Sequence, residues 1–306
     1  MPRIVVHGGA GRVPAAGADP AYAERAAGGL RAALAAGGDL LCAGGSALDA
    51  VVAAVRELER CEMFNAGRGC VLDADGAVAL DAAVMEGSGR RAGGVIGVQR
   101  IAHPIDAALA VLRDGRHVLL AGVGAERFAR AAGLAMVEPE HHVTDARRAQ
   151  LARVRGERTS SGGTVGAVAC DAAGHLAAAT STGGMAARHA GRVADSGLPG
   201  SGTWADDATC AVSATGHGEF FIRSAFAHDV AARIRYSGRD LDTACAEAFA
   251  AVAALGGSGG CIALDARGAT TLRFDTPDMP RGVQIGDEAP RIALHGGEEL
   301  RESSSD

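Results

Sequence analysis

The sequence predicts a mixed α+β protein in which antiparallel hairpins alternate with helices. Three stretches carry an Asp-to-Gly turn between apolar runs, at residues 73–76, 171–174 and 265–268, and turns of this composition join paired strands. Between them lie Ala-rich and amphipathic runs with helical spacing. The apolar fraction is 48% while aromatic residues make up only 3%, so Ala and Gly favour close approach of backbones over bulky packing.

Each element follows from its local pattern. Helices are expected where apolar residues recur at helical spacing, at 22–36, 46–60, 104–113, 125–132, 226–236 and 241–255. The second begins with Ser46 and Asp49, which resemble a capping box. Hairpins are expected at 61–87, 162–182 and 261–274, and single strands at 3–11, 118–124 and 208–215. Residues 144–161 predict an exposed helix that frays into a flexible linker, and the tail after Pro290 predicts a polar, loose end.

The hairpin at 162–182 places two threonines together. Its strands run from Val165 to Cys170 and from His175 to Thr182. A turn centred between residues 172 and 173 sets residue 164 opposite residue 181, and a bulge at Gly174 moves that register by one. Either register makes Thr164 and Thr182 neighbours at the open end of the hairpin.

Composition excludes several classes of partner and location. The net charge of −6 and the isoelectric point near 5.9 argue against a nucleic-acid or anionic-membrane partner. Seven cysteines, odd in number and without a CxxC pair, predict reduced thiols in a cytoplasmic protein. The sequence shows no basic segment leading into a long apolar run and no apolar stretch of membrane-spanning length, so neither secretion nor a membrane span is expected.

The absence of lysine narrows the choice of nucleophile. Without lysine the chain has no Ser-Lys dyad, Schiff-base Lys or P-loop Lys. A Thr hydroxyl becomes nucleophilic when its own free α-amine accepts the proton, and that amine has a pKa of about 7.7–8 in peptides. For Thr164 this requires cleavage of the Gly163–Thr164 bond. The alternative is that Thr164 is only a β-branched residue at the start of a strand.

Other polar residues have two interpretations each. Asn65, in a Gly-flanked loop, fits either a left-handed turn position or an amide aimed at an oxyanion. Arg192 and Asp195 fit either a clamp for the carboxylate and amine of an amino acid or an ordinary salt bridge. Thr215 and Gly216 stand at the end of a predicted strand, where sites tend to form.

Seven motifs together resemble one family. HGGAG (7–11), FNAG (64–67), GTVGAV (163–168), TSTGG (180–184), GRVADS (191–196), TGHGE (215–219) and LGGSGG (255–260) resemble, in order and approximate spacing, the plant-type L-asparaginase/isoaspartyl peptidase family of N-terminal nucleophile hydrolases. The resemblance implies one domain over residues 1–306 with a four-layer αββα sandwich of two facing, mainly antiparallel sheets. It also implies autocleavage between Gly163 and Thr164 into subunits 1–163 and 164–306, which stay associated and pair as a homodimer of αβ units.

The resemblance assigns roles to individual residues. It implies Thr164 as nucleophile, Thr182 as its activating neighbour and Asn65 as a supporting residue. It implies Thr215 and Gly216 as oxyanion donors, and Arg192 and Asp195, with Gly218 beside them, as the substrate clamp. No organic cofactor is implied. A structural sodium ion is implied on the backbone of Leu58, Glu59, Cys61, Phe64, Ala66 and Arg68. The expected reaction is hydrolysis of L-asparagine or of β-aspartyl dipeptides.

Three alternatives stay open at this point. Ser258 in Gly-x-Ser-x-Gly, with an HGG loop, Asp275 and His295, fits the residue order of an α/β-hydrolase, although Ser258 follows a predicted helix and precedes a strand rather than the reverse. A glycosylasparaginase-like amidase would use the same nucleophile. An uncleaved, non-catalytic binding protein would keep the fold and the amino-acid pocket.

Overall fold

The computed structural model describes residues 1–154 and 163–302. The helices in these ranges are α1 (Pro20–Cys42), α2 (Ala47–Arg60), α3 (Pro104–Asp114), α4 (Gly122–Ala131), α5 (Asp145–Val154), α6 (Gly218–Ser224), α7 (Phe226–Ser237) and α8 (Leu241–Ala254). The strands are β1 (Arg3–His7), β2 (Leu80–Glu86), β3 (Ala92–Val98), β4 (Leu119–Ala121), β5 (Val165–Cys170), β6 (Leu176–Thr182), β7 (Thr203–Ala205), β8 (Ala211–Gly216), β9 (Gly259–Leu264), β10 (Thr270–Phe274), β11 (Arg281–Ile285), β12 (Arg291–Ala293) and β13 (Arg301–Glu302).

The strands form two sheets. Among the described residues the larger sheet has the order β13-β12-β11-β1-β5-β6-β2-β3-β4, and the smaller has the order β10-β9-β8-β7. Neighbouring strands in these sheets are antiparallel, except that β3 and β4 are parallel. Strands β5 and β6 lie near the middle of the larger sheet and face β8 of the smaller one.

Three apolar layers hold the sheets and helices together. One lies between the larger sheet and helices α1 to α4, where Leu30 is fully buried. The second lies between the sheets, where Val168 of β5 and Ile262 of β9 belong to the same cluster. The third lies between the smaller sheet and helices α6 to α8, around Phe226. This is a four-layer αββα arrangement, so the predicted α+β sandwich is confirmed.

Strand alternation decides which residues face the gap between the sheets. In β5, Val165, Ala167 and Ala169 join the helix-side core. Val168 joins the inter-sheet core instead, as expected for side chains that alternate along a strand. A Cβ added at Gly166 would collide with Ser213 of the smaller sheet. Small residues therefore allow the two sheets to approach beside the threonines.

All the predicted helices are present, with shifted ends. In α2 the Asp49 N–H donates to Ser46 Oγ at 3.1 Å, so the predicted cap is confirmed. The helix expected at 22–36 extends to Cys42. The helix expected in 144–161 is α5, and the rest of that segment, residues 155–161, where the linker was predicted, lies outside the described residues. No helix in the described ranges is long and apolar enough to cross a membrane.

The predicted hairpin at 61–87 is wrong. The turn at Asp73 forms, because its N–H donates to the Ala77 carbonyl at 3.0 Å, but the residues before it contain no strand. The backbone groups of these residues form hydrogen bonds with other partners instead. The Val71 N–H donates to Asn65 Oδ1 at 2.8 Å, and the Leu72 carbonyl accepts from the Ala187 N–H at 2.9 Å. Strand β2 instead pairs with β3 and β6.

The tail after Pro290 is also more ordered than its composition predicted. Residues Arg291–Ala293 form β12, which pairs with β11. Ile292 and Leu294 pack against the core on the α1 side. Two apolar side chains in a polar segment are therefore enough to extend the larger sheet beyond β11.

Candidate active site

The turn of the β5–β6 hairpin sets the register of the site. Asp171 Oδ1 accepts hydrogen bonds from the Ala173 and His175 N–H groups, both at 3.0 Å, and fixes a three-residue loop. Val165 pairs with Ser181, so residue 164 falls opposite residue 182. The register is the bulge-shifted one of the two expected. Thr164 Oγ1 donates to Thr182 Oγ1 at 3.2 Å, and both side chains are buried.

The carbonyl of Gly163 sits between two donors. Asn65 Nδ2 donates to this oxygen at 2.6 Å and Thr182 Oγ1 donates at 3.1 Å. The Asn65 amide is fixed because its Oδ1 accepts from the Val71 N–H at 2.8 Å, which also assigns its nitrogen and oxygen. Two converging donors on one carbonyl oxygen have the geometry of an oxyanion hole. Attack by Thr164 on the carbon just before it would use this hole.

The glycine turn after β1 lies against the same peptide. Gly9 has φ +109°, and a Cβ there would lie 2.8 Å from Gly163 Cα and 2.9 Å from Thr164 N. Only glycine combines this φ with such close contact. One residue further on, the Ala10 N–H donates to Thr215 Oγ1 at 3.0 Å. This turn therefore connects the Gly163–Thr164 peptide to the end of β8.

Thr215 and Gly216 end β8 in a conformation that requires glycine at residue 216. Thr215 is fully buried. Gly216 has φ +146°, and a Cβ there would lie 2.5 Å from Gly259 Cα. Within residues 1–154 and 163–302, no hydrogen bond joins Thr215 or Gly216 to Thr164. The structure thus separates the donors around the Gly163 carbonyl from the pair at the end of β8.

Asp195 and Arg192 converge on Gly218. A Cβ at Gly218 would lie 2.6 Å from Asp195 Oδ1 and 2.8 Å from Arg192 Nη2, so a side chain here would fill the space between the two charges. Asp195 is 2% exposed, and its Oδ2 has no hydrogen-bond partner in the part of the chain that the structure describes. Burial raises the pKa of Asp195 to about 7, although the Arg192 cation opposes the shift.

Sequence reasoning missed the partner of Arg192. Its guanidinium grips Glu219 with two hydrogen bonds, Nε to Oε1 at 2.8 Å and Nη2 to Oε2 at 3.0 Å. The predicted alternative of an Arg192–Asp195 salt bridge is not formed among the described residues. Glu219 belongs to the quoted TGHGE motif, but its distance of 27 residues from Arg192 gave no signal of contact.

Two further polar residues lie near Thr164: Ser196, which was not predicted, and His7, which fits the hydrogen-bonded structural histidine expected from the HGGAG motif. Ser196, the residue after Asp195, donates through Oγ to Thr164 Oγ1 at 3.5 Å. His7 is fully buried with Nε2 3.0 Å from Ser213 Oγ, and burial lowers its pKa to about 3, so the ring is neutral. Both occur inside motifs that were noted, GRVADS and HGGAG, but their contacts depend on how the two sheets face each other.

The α/β-hydrolase triad is not assembled. Ser258 follows α8 and immediately precedes β9, whereas a nucleophile elbow lies between a strand and a following helix. Asp275 Oδ1 accepts from the Gly259 N–H at 2.7 Å. His295 Nδ1 lies 3.6 Å from Asp278 rather than beside Asp275. These three residues serve separate contacts.

The loop predicted to bind sodium is held by backbone hydrogen bonds. The Arg68 N–H donates to the Glu59 carbonyl at 2.8 Å, and the Phe64 N–H donates to the Cys61 carbonyl at 3.1 Å. Each carbonyl oxygen keeps a second lone pair. In the described ranges no group of three or more His, Cys, Asp or Glu side chains could hold a metal ion. Hard oxygen donors from the main chain are the ligands that this loop offers.

Comparison with known proteins identifies the family of the chain. The sequence profile of the family described as Asparaginase matches residues 1–294. The chain belongs to the asparaginase family. It is 44% identical to the isoaspartyl peptidases of Salmonella typhimurium and Escherichia coli, over 95% of this chain and over 98% and 95% of those proteins. It is 37% identical to the isoaspartyl peptidase/L-asparaginase of Xenopus laevis, over 97% of this chain and 96% of that protein.

Proposed function

We propose that this asparaginase-family protein is a self-processing threonine amidohydrolase that hydrolyses L-asparagine to L-aspartate and ammonia and cleaves β-aspartyl dipeptides. One observation carries the proposal. Thr164 Oγ1 is hydrogen-bonded to Thr182, while Thr182 and Asn65 both donate to the carbonyl oxygen of Gly163. Nucleophile, proton acceptor and oxyanion donors thus meet at one peptide bond, in a chain whose relatives are named isoaspartyl peptidases.

Maturation is the first reaction in the scheme. Thr164 Oγ1 bonds to the Gly163 carbonyl carbon and passes its proton to Thr182 Oγ1, while Thr182 gives its own proton to the carbonyl oxygen and Asn65 stabilises the charge that develops there. The C–N bond then breaks and its nitrogen takes the proton, which leaves an ester. Water hydrolyses the ester to give the Gly163 carboxylate and the free Thr164 amine. The products are subunits 1–163 and 164–306.

Substrate hydrolysis uses the freed amine. The Thr164 amine accepts the Oγ1 proton, and Oγ1 attacks the side-chain amide carbon of asparagine or the isopeptide carbon of a β-aspartyl dipeptide. Thr215 Oγ1 and the Gly216 N–H stabilise the oxyanion. The protonated amine passes its proton to the leaving ammonia or amino acid, and water then hydrolyses the acyl-enzyme. No step requires an organic cofactor.

The clamp around Gly218 recognises the aspartyl half of the substrate. Asp195, which is buried and has one carboxylate oxygen without a partner among the described residues, binds the α-ammonium. Arg192 binds the α-carboxylate through its Nε and Nη2 groups, which donate to Glu219 in this structure. The substrate carboxylate therefore takes the place of Glu219. The missing side chain at Gly218 leaves room for the Cα of the substrate between these charges.

Intact mass of the purified protein tests the proposal. We expect a fragment that starts at Thr164, and that processed material is expected to release aspartate from L-Asn and from β-Asp-Leu. Thr164→Ala should remain one chain without activity, because it lacks the hydroxyl. Thr164→Ser is the matched control and should retain cleavage. A Thr164→Ala protein that is still cut, or that still hydrolyses β-Asp-Leu, contradicts the proposal.

A glycosylasparaginase-like amidase is the second candidate. It shares the nucleophile and the clamp but takes a sugar-bearing leaving group. Turnover of glycosyl-asparagine faster than turnover of β-Asp-Leu would favour it. The third, an uncleaved binding protein, predicts a single chain that binds aspartate without hydrolysis.

We also propose a structural sodium ion in the loop of residues 58–68. The main-chain carbonyls of this loop are hard oxygen donors of the kind that sodium accepts. Its effect would be on the stability of the loop that carries Asn65. A higher melting temperature in sodium chloride than in choline chloride at equal ionic strength would support the ion, and equal melting temperatures would contradict it.

Assembly and location complete the proposal. We infer a homodimer of αβ units in the cytoplasm, acting on small molecules. All seven cysteines are free thiols, and five of them are buried, which suits a reducing compartment. Sedimentation analysis of the processed protein tests the dimer, and cell fractionation tests the location.

A further inference from the structure

A small open pocket lies beside the end of β8. Its volume is about 70 Å³, and its walls include Gly11, Met185, Gly216, Ser258 and Thr276. Its lining also includes His217, and no carboxylate residue is among the lining residues that the structure describes. The pocket is separate from the clamp, because Arg192, Asp195 and Gly218 do not line it.

The position of Gly216 relates this pocket to the scissile bond. In the scheme above, the Gly216 N–H holds the carbonyl oxygen of the substrate. The acyl half of the substrate extends to the charges around Gly218, which lie two residues along the chain. The leaving group is attached to the other side of the same carbonyl carbon. The leaving group therefore needs a pocket that lies next to Gly216 and is not lined by the clamp residues. The pocket described here meets both conditions.

The hydrogen bonds of the walls show which group is free to meet a ligand. Thr276 Oγ1 donates its proton to the Asp278 carbonyl at 2.9 Å. The Ser258 carbonyl accepts from the His217 N–H at 3.0 Å, which fixes this corner of the pocket. The Ser258 hydroxyl has no hydrogen-bond partner in the described ranges and is half-buried. Ser258 is thus a donor available to a carboxylate.

Met185 supplies the apolar part of the pocket. It follows the Gly183-Gly184 pair after β6 and is half-buried. Its thioether side chain is flexible and polarisable, and such side chains adapt to ligands of different shape. The pocket volume corresponds to about two water molecules at ~30 Å³ each. It can therefore take the backbone of a leaving residue, while a long side chain extends toward solvent.

We propose that this pocket is the subsite for the amino acid released from β-aspartyl dipeptides, with Met185 packing against that residue and Ser258 binding its α-carboxylate. The inference rests on the proposed function. L-Asparagine releases ammonia, which needs neither contact. The pocket thus sets the ratio of peptidase to asparaginase activity.

Two variants test the subsite on processed protein. Met185→Phe fills the pocket, so the ratio of kcat/KM for β-Asp-Leu to kcat/KM for L-Asn should fall about tenfold. Ser258→Ala removes the donor, so the KM for β-Asp-Leu should rise about tenfold, whereas β-Asp-leucinamide, which lacks the carboxylate, should not respond. Ser237→Ala, an exposed hydroxyl at the end of α7, is the matched control and should behave as the parent protein.

The outcomes separate this inference from the proposed function. If the parent protein hydrolyses neither substrate, the proposed function fails. If it hydrolyses both and neither variant changes the activity ratio by more than twofold, the subsite is wrong while the enzyme assignment stands. A Ser258→Ala protein that loses β-Asp-Leu and β-Asp-leucinamide equally would also overturn the carboxylate contact. Should Met185→Phe not fold, Ser258→Ala decides alone.

Discussion

Ionisation of Asp195 is expected to control substrate affinity near neutral pH. Burial raises the pKa of this carboxyl group to about 7. In the proposed clamp the charged carboxylate binds the α-ammonium of L-Asn, so only the deprotonated form contributes. The raised pKa means that this binding strengthens as the pH rises through 7 and is lost as the pH falls through 7.

The size of the effect follows from the titration. A group with a pKa of about 7 is about 90% ionised at pH 8 and about 10% ionised at pH 6. If only the ionised form binds, the KM for L-Asn should rise roughly tenfold between these pH values. The free Thr164 amine, with a pKa of about 7.7–8 in model peptides, titrates in the same range. Protonation of that amine removes the base and lowers kcat.

An analogue without the α-amine separates the two groups. Succinamic acid has the amide and the carboxylate of asparagine but no ammonium, so its KM should not respond to Asp195. We would measure kcat and KM for both compounds from pH 5.5 to 8.5. Asp195→Asn is the matched variant, and its KM for L-Asn should be high and flat over this range. Parallel KM profiles for L-Asn and succinamic acid in the parent protein would refute the reasoning.

Three further predictions concern other parts of the site. Asn65→Ala removes one of two donors to the scissile carbonyl, so self-cleavage should slow about 10²–10³-fold. A denaturing gel followed over time measures this rate, and cleavage at the parental rate would contradict the role of Asn65 as an oxyanion donor. Gly216→Ala places a Cβ in a strained, filled position and should lower the free energy of unfolding by about 1–3 kcal/mol, whereas Gly124→Ala, in open space on α4, should not destabilise the protein in the same denaturant titration. Glu219→Gln removes the charge that holds Arg192, so the KM for L-Asn should fall, and a rise in KM would show that Glu219 instead orients Arg192 for binding.

Elements that are set by hydrogen bonds between residues close in the sequence could be predicted from the sequence. The cap of α2 could be predicted from Ser46 and Asp49 because the contact spans three residues. The β5–β6 hairpin could be predicted because Asp171 bonds its own turn. The adjacency of Thr164 and Thr182 followed from that turn, to within one residue of register.

Features that depend on distant contacts could not be predicted in this way. Strand β2 was assigned to the wrong hairpin, because its partners β3 and β6 are chosen by packing against α2 and α3 rather than by the turn at Asp73. Helix α6 was missed because it has only seven residues. The pairing of Arg192 with Glu219, and the burial that shifts the pKa of Asp195, both appear only when the segment after β6 packs against the start of α6.

The strand order has a consequence for the processed molecule. In the larger sheet β1 lies between β5 and β11, and β6 lies between β5 and β2, so strands from the two sides of the Gly163–Thr164 bond are interleaved. Once that bond is cut, dissociation of the fragments would require rupture of several backbone ladders at once. The unprocessed polypeptide can renature as a single molecule, whereas the mature form must reassemble by collision of two pieces. The rate at which the native state re-forms after denaturation should then be second order in the concentration of the two fragments. Self-cleavage would thus make refolding depend on the association of two chains.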